Sequence, residues 1–145
     1  MDHGDPMQDQ EARLRAVADA QPDFAGHLGA RLLESTPEKV VFEMTVTQAL
    51  ANRNGVLHGG AIMGLADNAG GTATFLNLAE GRSTTTIESK TNFLRPIRIG
   101  DTARAVCEPL HRGRTTQVWQ TRVTRGDGKL AAIVTQTQLV INWTE

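Results

Sequence analysis

The chain has 145 residues, of which 39% are hydrophobic and 21% charged, with a formal net charge of −1, and this balance predicts one globular domain. It has no apolar run of the roughly 18 residues that a membrane-spanning helix needs, and its single cysteine, Cys107, excludes an internal disulfide. An aromatic content of 4% without a groove-reading motif argues against a nucleic-acid partner, and the polar, acidic N-terminus lacks a signal-peptide pattern, so we expect a cytoplasmic protein with no membrane partner.

The N-terminal part of the chain, residues 1–27, is predicted to be a tail and a short helix ahead of the main domain at residues 28–145. We expect residues 1–7 to lack regular structure. Residues 8–20 have a helix-forming composition, and Pro22 is predicted to end that segment.

The main domain is predicted to begin with two strands, at residues 30–35 and 39–46, the second of which alternates apolar and polar side chains. A polar loop then leads into a long helix over residues 59–79, which we expect Gly81 to end. Glycines within this helix lower its intrinsic stability by about 1 kcal/mol each. Their presence predicts close packing of the helix against a sheet.

The remainder of the chain is predicted to be strand. A Gly126-Asp127-Gly128 turn signal separates the last two strands. The predicted strands are residues 84–94, 101–110, 115–125 and 129–141. The order of elements predicts an α+β fold in which an antiparallel sheet wraps around one long central helix.

The start of the central helix combines the features of an acyl-transfer site. Backbone N–H groups at a helix N-terminus have no intrahelical partner and lie at the positive end of the helix dipole. Gly59 and Gly60 allow a ligand oxygen to approach these groups closely, so a developing negative charge can be stabilised there. Asp67, on the same helix, provides a carboxylate.

Distance along the helix predicts that this site needs two chains. Asp67 lies eight residues after Gly59, which is about 12 Å along a helix axis. A carboxylate that attacks a carbonyl carbon must come within about 3 Å of it. We therefore expect an isologous dimer in which Asp67 of one subunit lies beside Gly59 of the other.

These residues resemble a known family. Asn52, His58-Gly59-Gly60 and an acid nine residues after the histidine are similar to the motif of hotdog-fold thioesterases, of the phenylacetic-acid-degradation and 4-hydroxybenzoyl-CoA type. Two downstream strings, which match the same pattern, extend the resemblance over residues 28–141. They are Phe93-Leu94-Arg95-Pro96 with Gly100-Asp101, and Arg112-Gly113-Arg114-Thr115.

The resemblance implies a role for each catalytic candidate. Asp67 is the nucleophile or the base that activates water, and Gly59 is the backbone donor to the thioester carbonyl. Asn52 orients water or the thioester, with loop capping as the alternative. Thr86 falls where some members have a hydroxyl that serves the hydrolytic water, whereas His58 belongs to the motif without a clear chemical duty. Family members are dimers or tetramers with sites between subunits.

The candidates for substrate binding are Gly60, Arg95 and the Arg112-Gly113-Arg114-Thr115 cluster. Guanidinium groups match phosphate oxygens, although each arginine could equally be a surface residue. Residues 82–145 contain 10 Lys and Arg against 5 Asp and Glu, and two interpretations of this excess stay open: attraction of a polyanionic ligand, and the solvated outer faces of strands. The histidines have no metal-site spacing. We expect no metal and no cofactor, coenzyme A being part of the substrate.

The function that follows is hydrolysis of an acyl- or aryl-CoA thioester to the free acid and CoA. Two alternatives stay open: a non-catalytic acyl-CoA sensor with the same fold, and a thioesterase that acts on carrier-protein thioesters. The acyl group and the choice between dimer and tetramer cannot be read from the sequence.

Overall fold

Six strands form one antiparallel sheet, and the long central helix packs against five of them. The computed structural model describes residues 5–143. The helices are α1 Pro6–Asp19, α2 Asp23–Leu28 and α3 Gly59–Phe75, with a short 3-10 helix at Gln48–Leu50. The strands are β1 Arg31–Thr36, β2 Lys39–Thr45, β3 Arg82–Phe93, β4 Thr102–Arg112, β5 Thr116–Thr124 and β6 Leu130–Asn142. They lie in the sheet in the order β1-β2-β4-β5-β6-β3. The predicted α+β hotdog architecture is confirmed.

The small residues of α3 pack directly on the sheet. Ala66, Ala69 and Ala73 are fully buried, and a Cβ at Gly70 would overlap the side-chain amide of Gln136 on β6. The opposite face of α3 carries exposed residues, including Asp67. The close approach predicted from the glycine content is therefore confirmed, and it leaves one exposed face of the helix that bears the carboxylate.

Three local predictions were wrong. The central helix ends at Phe75 rather than Ala79, because the Asn77 side chain donates to Ala73 O at 2.9 Å and the backbone tightens into shorter turns. Gly81, with a φ of 77°, belongs to the turn before β3.

At the other end of the chain, α1 begins at Pro6, so residues 6 and 7 are helical rather than irregular. The Asp5 side chain caps this helix by accepting from Met7 N at 3.1 Å. Residues 1–4, where irregular structure was also expected, lie outside the described residues.

The N-terminal helices pack on the main domain. Ala18 of α1 and Leu28 of α2 are buried in the same apolar cluster as Leu65 of α3. The helix α2 was not predicted, because it has only six residues and follows Pro22 directly. None of the helices in the described part of the chain is long and apolar enough to cross a membrane. The domain boundary at residue 28 stays a prediction.

Candidate active site

The carboxylate of Asp67 is held by a hydroxyl from the edge of the sheet. Thr86 Oγ1, on β3, donates to Asp67 Oδ1 at 2.7 Å. A β-bulge follows Thr86 directly, since Thr86 pairs with Gln138 and Glu88 with Thr137, which leaves Ile87 unpaired. Bulges redirect side chains at such positions. The bulge thus helps to set the orientation of Thr86 toward α3.

A cavity of about 590 Å³ opens beside this pair. Its walls come from α3, from β3 and from the connection between α1 and α2. Gln21 of that connection accepts from Asn68 Nδ2 at 2.8 Å and donates to Ala18 O at 2.7 Å. These contacts of Gln21 hold the connection between α1 and α2 against α3. Both polar and apolar side chains, such as Asn68 and Phe75, line the cavity.

The start of α3 is capped by His58. Its Nδ1 accepts from Gly60 N at 2.8 Å, which requires the neutral ring with its proton on Nε2. The N–H of Gly60 is therefore committed to the cap. The N–H of Gly59 makes no hydrogen bond among residues 5–143, so it is the donor at this helix end that a ligand oxygen can use.

Asn52 caps the loop before the helix. Its Oδ1 accepts from Asn54 N at 3.0 Å and from Val56 N at 3.3 Å. These contacts are those of the loop-capping alternative, yet the Nδ2 group makes no hydrogen bond in the described part of the chain. Asn52 also lines a second cavity, of about 320 Å³, together with Gly59 and Arg95. Its amide can serve both the loop and a ligand.

The sequence-predicted residues therefore lie in two groups within one chain. Asp67 and Thr86 line the larger cavity, whereas Asn52, Gly59 and Arg95 line the smaller one. The separation agrees with the helical spacing of the acid and the glycine. A single chain holds the carboxylate and the free N–H apart.

The Arg112-Gly113-Arg114-Thr115 cluster lies near the opposite end of α3 from Gly59. Arg112 Nη1 donates to Pro37 O at 3.2 Å and to Asn77 Oδ1 at 3.4 Å, and Asn77 follows the C-terminus of α3. Arg112 also pairs with Glu38 at 3.8 Å. Its guanidinium is thus already engaged, whereas Arg114 and Thr115 are exposed.

A turn places Gly113 within this cluster. Its N–H donates to Thr116 O at 2.9 Å, and a Cβ there would lie 2.9 Å from the same oxygen. Glycine is therefore required by the turn itself, whether or not the turn binds a ligand.

Cys107 is a core residue without nucleophilic character. Burial raises the pKa of its thiol to about 12. A neutral thiol is a poor nucleophile. Among residues 5–143 no group of three or more His, Cys, Asp or Glu side chains is arranged to hold a metal ion.

Sequence reasoning missed two buried glutamines behind Thr86. Gln136 and Gln138 are each about 1% exposed, and Gln138 Nε2 donates to Thr86 Oγ1 at 2.7 Å. The signal was available in the alternation of β6, where both glutamines share the inward face with Val134. Polar residues at inward positions of a strand are unusual and indicate a hydrogen-bonded network.

Comparisons with known proteins agree on one family. The thioesterase superfamily model matches residues 54–132, just over half of the chain. The 1,4-dihydroxy-2-naphthoyl-CoA hydrolase of Escherichia coli is 35% identical over 104 residues, which cover 72% of this chain and 71% of that protein.

Two solved structures share the fold. A thioesterase from Haemophilus influenzae is 33% identical with a TM-score of 0.78, over 83% of this chain and 84% of that one. The E. coli PaaI protein from the phenylacetic acid degradation operon is 25% identical with a TM-score of 0.82, over 93% and 96% of the two chains.

Proposed function

The chain belongs to the thioesterase superfamily and is a thioester hydrolase, and from this premise we propose that it hydrolyses an acyl- or aryl-CoA thioester with Asp67 as the reacting carboxylate. The E. coli relative that acts on 1,4-dihydroxy-2-naphthoyl-CoA supports a CoA thioester as the substrate class. The observation that carries the proposal is the exposed Asp67 carboxylate, which Thr86 holds at 2.7 Å beside a cavity large enough for an acyl group.

Asp67 has one oxygen engaged and one available. Oδ1 accepts the Thr86 proton, and Oδ2 makes no hydrogen bond among residues 5–143. In one route Oδ2 attacks the carbonyl carbon, the C–S bond breaks, and water then hydrolyses the resulting anhydride. In the other route Oδ2 removes a proton from water, which attacks the same carbon. In both routes CoA leaves as the thiolate and takes up a proton.

The N–H of Gly59 is the proposed donor to the carbonyl oxygen. It is free within the described chain and lies at the positive end of α3. Negative charge develops on the carbonyl oxygen as the tetrahedral intermediate forms. One such donor is typically worth about 2.7–4 kcal/mol of barrier lowering.

The two groups meet if two chains pair about a two-fold axis. Gly59, Met63 and Asp67 follow each other at intervals of four residues along one side of α3. An antiparallel pair of α3 helices that cross near Met63 would bring Asp67 to Gly59 of the partner subunit, and would do so twice. Met63 is 37% exposed in the single chain, so its side chain is available for this contact.

The free edge of the sheet supports the same pairing. β3 is an outer strand of 12 residues, and it carries Ile87 and Phe93, which are 56% and 54% exposed. A long outer strand with apolar side chains is a ready pairing surface. We therefore propose that β3 and the exposed face of α3 together form the dimer interface, with the active sites in it.

Arg95 is the better placed of the arginines for the phosphates of CoA, because it shares a cavity with Gly59 and Asn52. Its Nη1 donates to Leu130 O at 2.7 Å, and its other N–H groups make no hydrogen bond among residues 5–143, so they are available to a ligand. Arg114 and Thr115 are exposed and can contact a longer ligand. Arg112 already has protein partners.

The test is the substitution Asp67→Asn, which keeps the shape of the side chain and its contact with Thr86. Turnover of a panel of aryl- and acyl-CoA substrates should fall by orders of magnitude, while the melting temperature and the oligomeric state stay unchanged. The matched control is Glu108→Gln, an exposed carboxylate on β4. Retained turnover in Asp67→Asn would refute the proposal. Single turnover in labelled water separates the two routes, since label in Asp67 indicates the anhydride.

A further inference from the structure

Two glutamines lie buried in the sheet behind Thr86. Gln136 and Gln138 on β6 are each about 1% exposed, and uncompensated burial of a side-chain amide is costly. In this protein each amide is hydrogen-bonded at both ends. The bonds form a continuous chain that starts at the backbone of α3 and ends at the carboxylate of Asp67.

The donors and acceptors available on each group determine the direction of every hydrogen bond in this series. Ala66 O can only accept, so the Gln136 atom at 2.8 Å from it is Nε2. Gln136 Oε1 then accepts, and the Gln138 atom at 2.6 Å from it is also Nε2. The second hydrogen of that nitrogen goes to Thr86 Oγ1 at 2.7 Å.

The last bond of the chain follows from the others. Since Thr86 Oγ1 accepts from Gln138, the single Thr86 hydroxyl proton is left to point at Asp67 Oδ1, 2.7 Å away. Gln138 Oε1 accepts from the Thr84 hydroxyl at 2.9 Å, which shares its proton with Leu139 O at 3.0 Å. Every member of the chain therefore has one allowed orientation.

We propose that Gln138, supported by Gln136, is a positioning residue that holds the Thr86 hydroxyl on Asp67 Oδ1 and so leaves Oδ2 as the reacting oxygen. The inference rests on the proposed role of Asp67 and adds residues that do not touch the substrate. Asp67 lines the cavity, so a fixed orientation of its carboxylate sets the position of Oδ2 for attack on the carbonyl or for activation of water.

Gly70 explains how the glutamines reach the helix. A Cβ at this position would overlap the Gln136 amide, which could then no longer donate to Ala66 O. Glycine within a helix is unfavourable, so its presence here is accounted for by the contact with Gln136. Gly70 is therefore part of the same arrangement, although it makes no side-chain bond.

The test removes the Gln138 donors with the substitution Gln138→Met, which is neutral and of similar size. We expect kcat to fall by about tenfold while KM changes by less than about twofold. A merely structural role would lower the melting temperature without this selective loss of kcat.

The matched control is Gln117→Met. Gln117 pairs with Gln138 across β5 and β6 and is 3% exposed, but its Oε1 makes no hydrogen bond among residues 5–143. This variant should keep the wild-type kcat. Should Gln138→Met fail to fold, Gly70→Ala is the second variant, because its added methyl group displaces Gln136 while every polar group stays. It should produce a similar loss of kcat with little change in KM.

A double substitution decides whether Gln138 acts through Thr86. In a Thr86→Val background, Gln138→Met should change kcat by less than about twofold. Additive losses, an unchanged kcat in Gln138→Met, or an equal loss of kcat in Gln117→Met would each overturn the inference. Asp67→Asn assayed in parallel separates the two proposals. If that variant is inactive while Gln138→Met behaves as wild type, only the positioning role fails.

Discussion

Replacing Gly59 with proline removes one N–H group from the proposed site and disturbs the fold very little. His58 is the N-cap of α3, with φ −60° and ψ 135°, so position 59 is the first helical residue. Proline is favoured at this position, and the residue before it must be extended, as His58 is. The lost N–H makes no hydrogen bond among residues 5–143, so no bond of the described structure is broken.

The size of the effect follows from the role of that N–H. If it stabilises the oxyanion, its loss should lower kcat by about 10²–10³-fold, which corresponds to roughly 2.7–4 kcal/mol. Steric effects are separated by Gly59→Ala, which adds a Cβ but keeps the N–H. That Cβ would lie 3.1 Å from Phe93 Cζ, the far end of a side chain, which needs to shift by only a few tenths of an ångström. The alanine variant should therefore lose only a few fold in kcat.

The assay is the release of the CoA thiol, followed with a chromogenic thiol reagent, together with the melting temperature of each variant. We expect the proline variant to melt close to the wild type and to be nearly inactive, with the alanine variant active. Equal kcat values for the proline and alanine variants at equal melting temperature would show that the Gly59 N–H does not contact the reacting carbonyl.

Three further predictions concern the neighbouring residues. Asn52→Asp keeps the Oδ1 acceptor that caps the loop but removes the amide donor, so kcat should fall without loss of stability. An unchanged kcat would show that Asn52 only caps the loop. Arg95→Met should raise KM for CoA thioesters by a few fold and leave kcat unchanged, because an exposed ion pair contributes roughly 0.2–1 kcal/mol. An unchanged KM would show that Arg95 does not bind CoA. Burial raises the pKa of the Cys107 thiol from 9.0 to about 12, so between these pH values the folded state keeps the thiol proton and the unfolded state loses it. The free energy of unfolding should therefore decrease as the pH rises through this range. Denaturant titrations should show a smaller decrease for Cys107→Ala, and equal decreases would contradict the assignment.

The strands and the start of the central helix could be predicted because their signals are local. The alternation in β2 and the Gly126-Asp127-Gly128 turn depend on neighbours in sequence, and the structure places them within one residue of the prediction. The end of α3 depends on a side-chain contact instead. Apolar Leu76 and Leu78 continue the helical pattern, whereas Asn77 turns back to Ala73 O and Pro37 O and ends the helix.

The candidate site was predictable where its residues lie on one element. Gly59 and Asp67 share α3, so their separation follows from helix geometry alone. The contact of Asp67 with Thr86, and of Thr86 with Gln138, depends on which strands are neighbours and on the bulge at Ile87. Strand order and bulges are set by long-range pairing, which the pattern of a single strand does not encode.

Mixing two inactive variants tests the central claim, that each site combines Asp67 of one subunit with Gly59 of the other. Asp67→Asn and Gly59→Pro chains, co-expressed with different affinity tags, would form mixed dimers in which one site has both substitutions and the other has neither. Purified mixed dimers should recover about half of the wild-type turnover, since one of two sites is intact. Turnover no higher than that of either parent variant, in mixed dimers shown to be intact, would contradict the shared site.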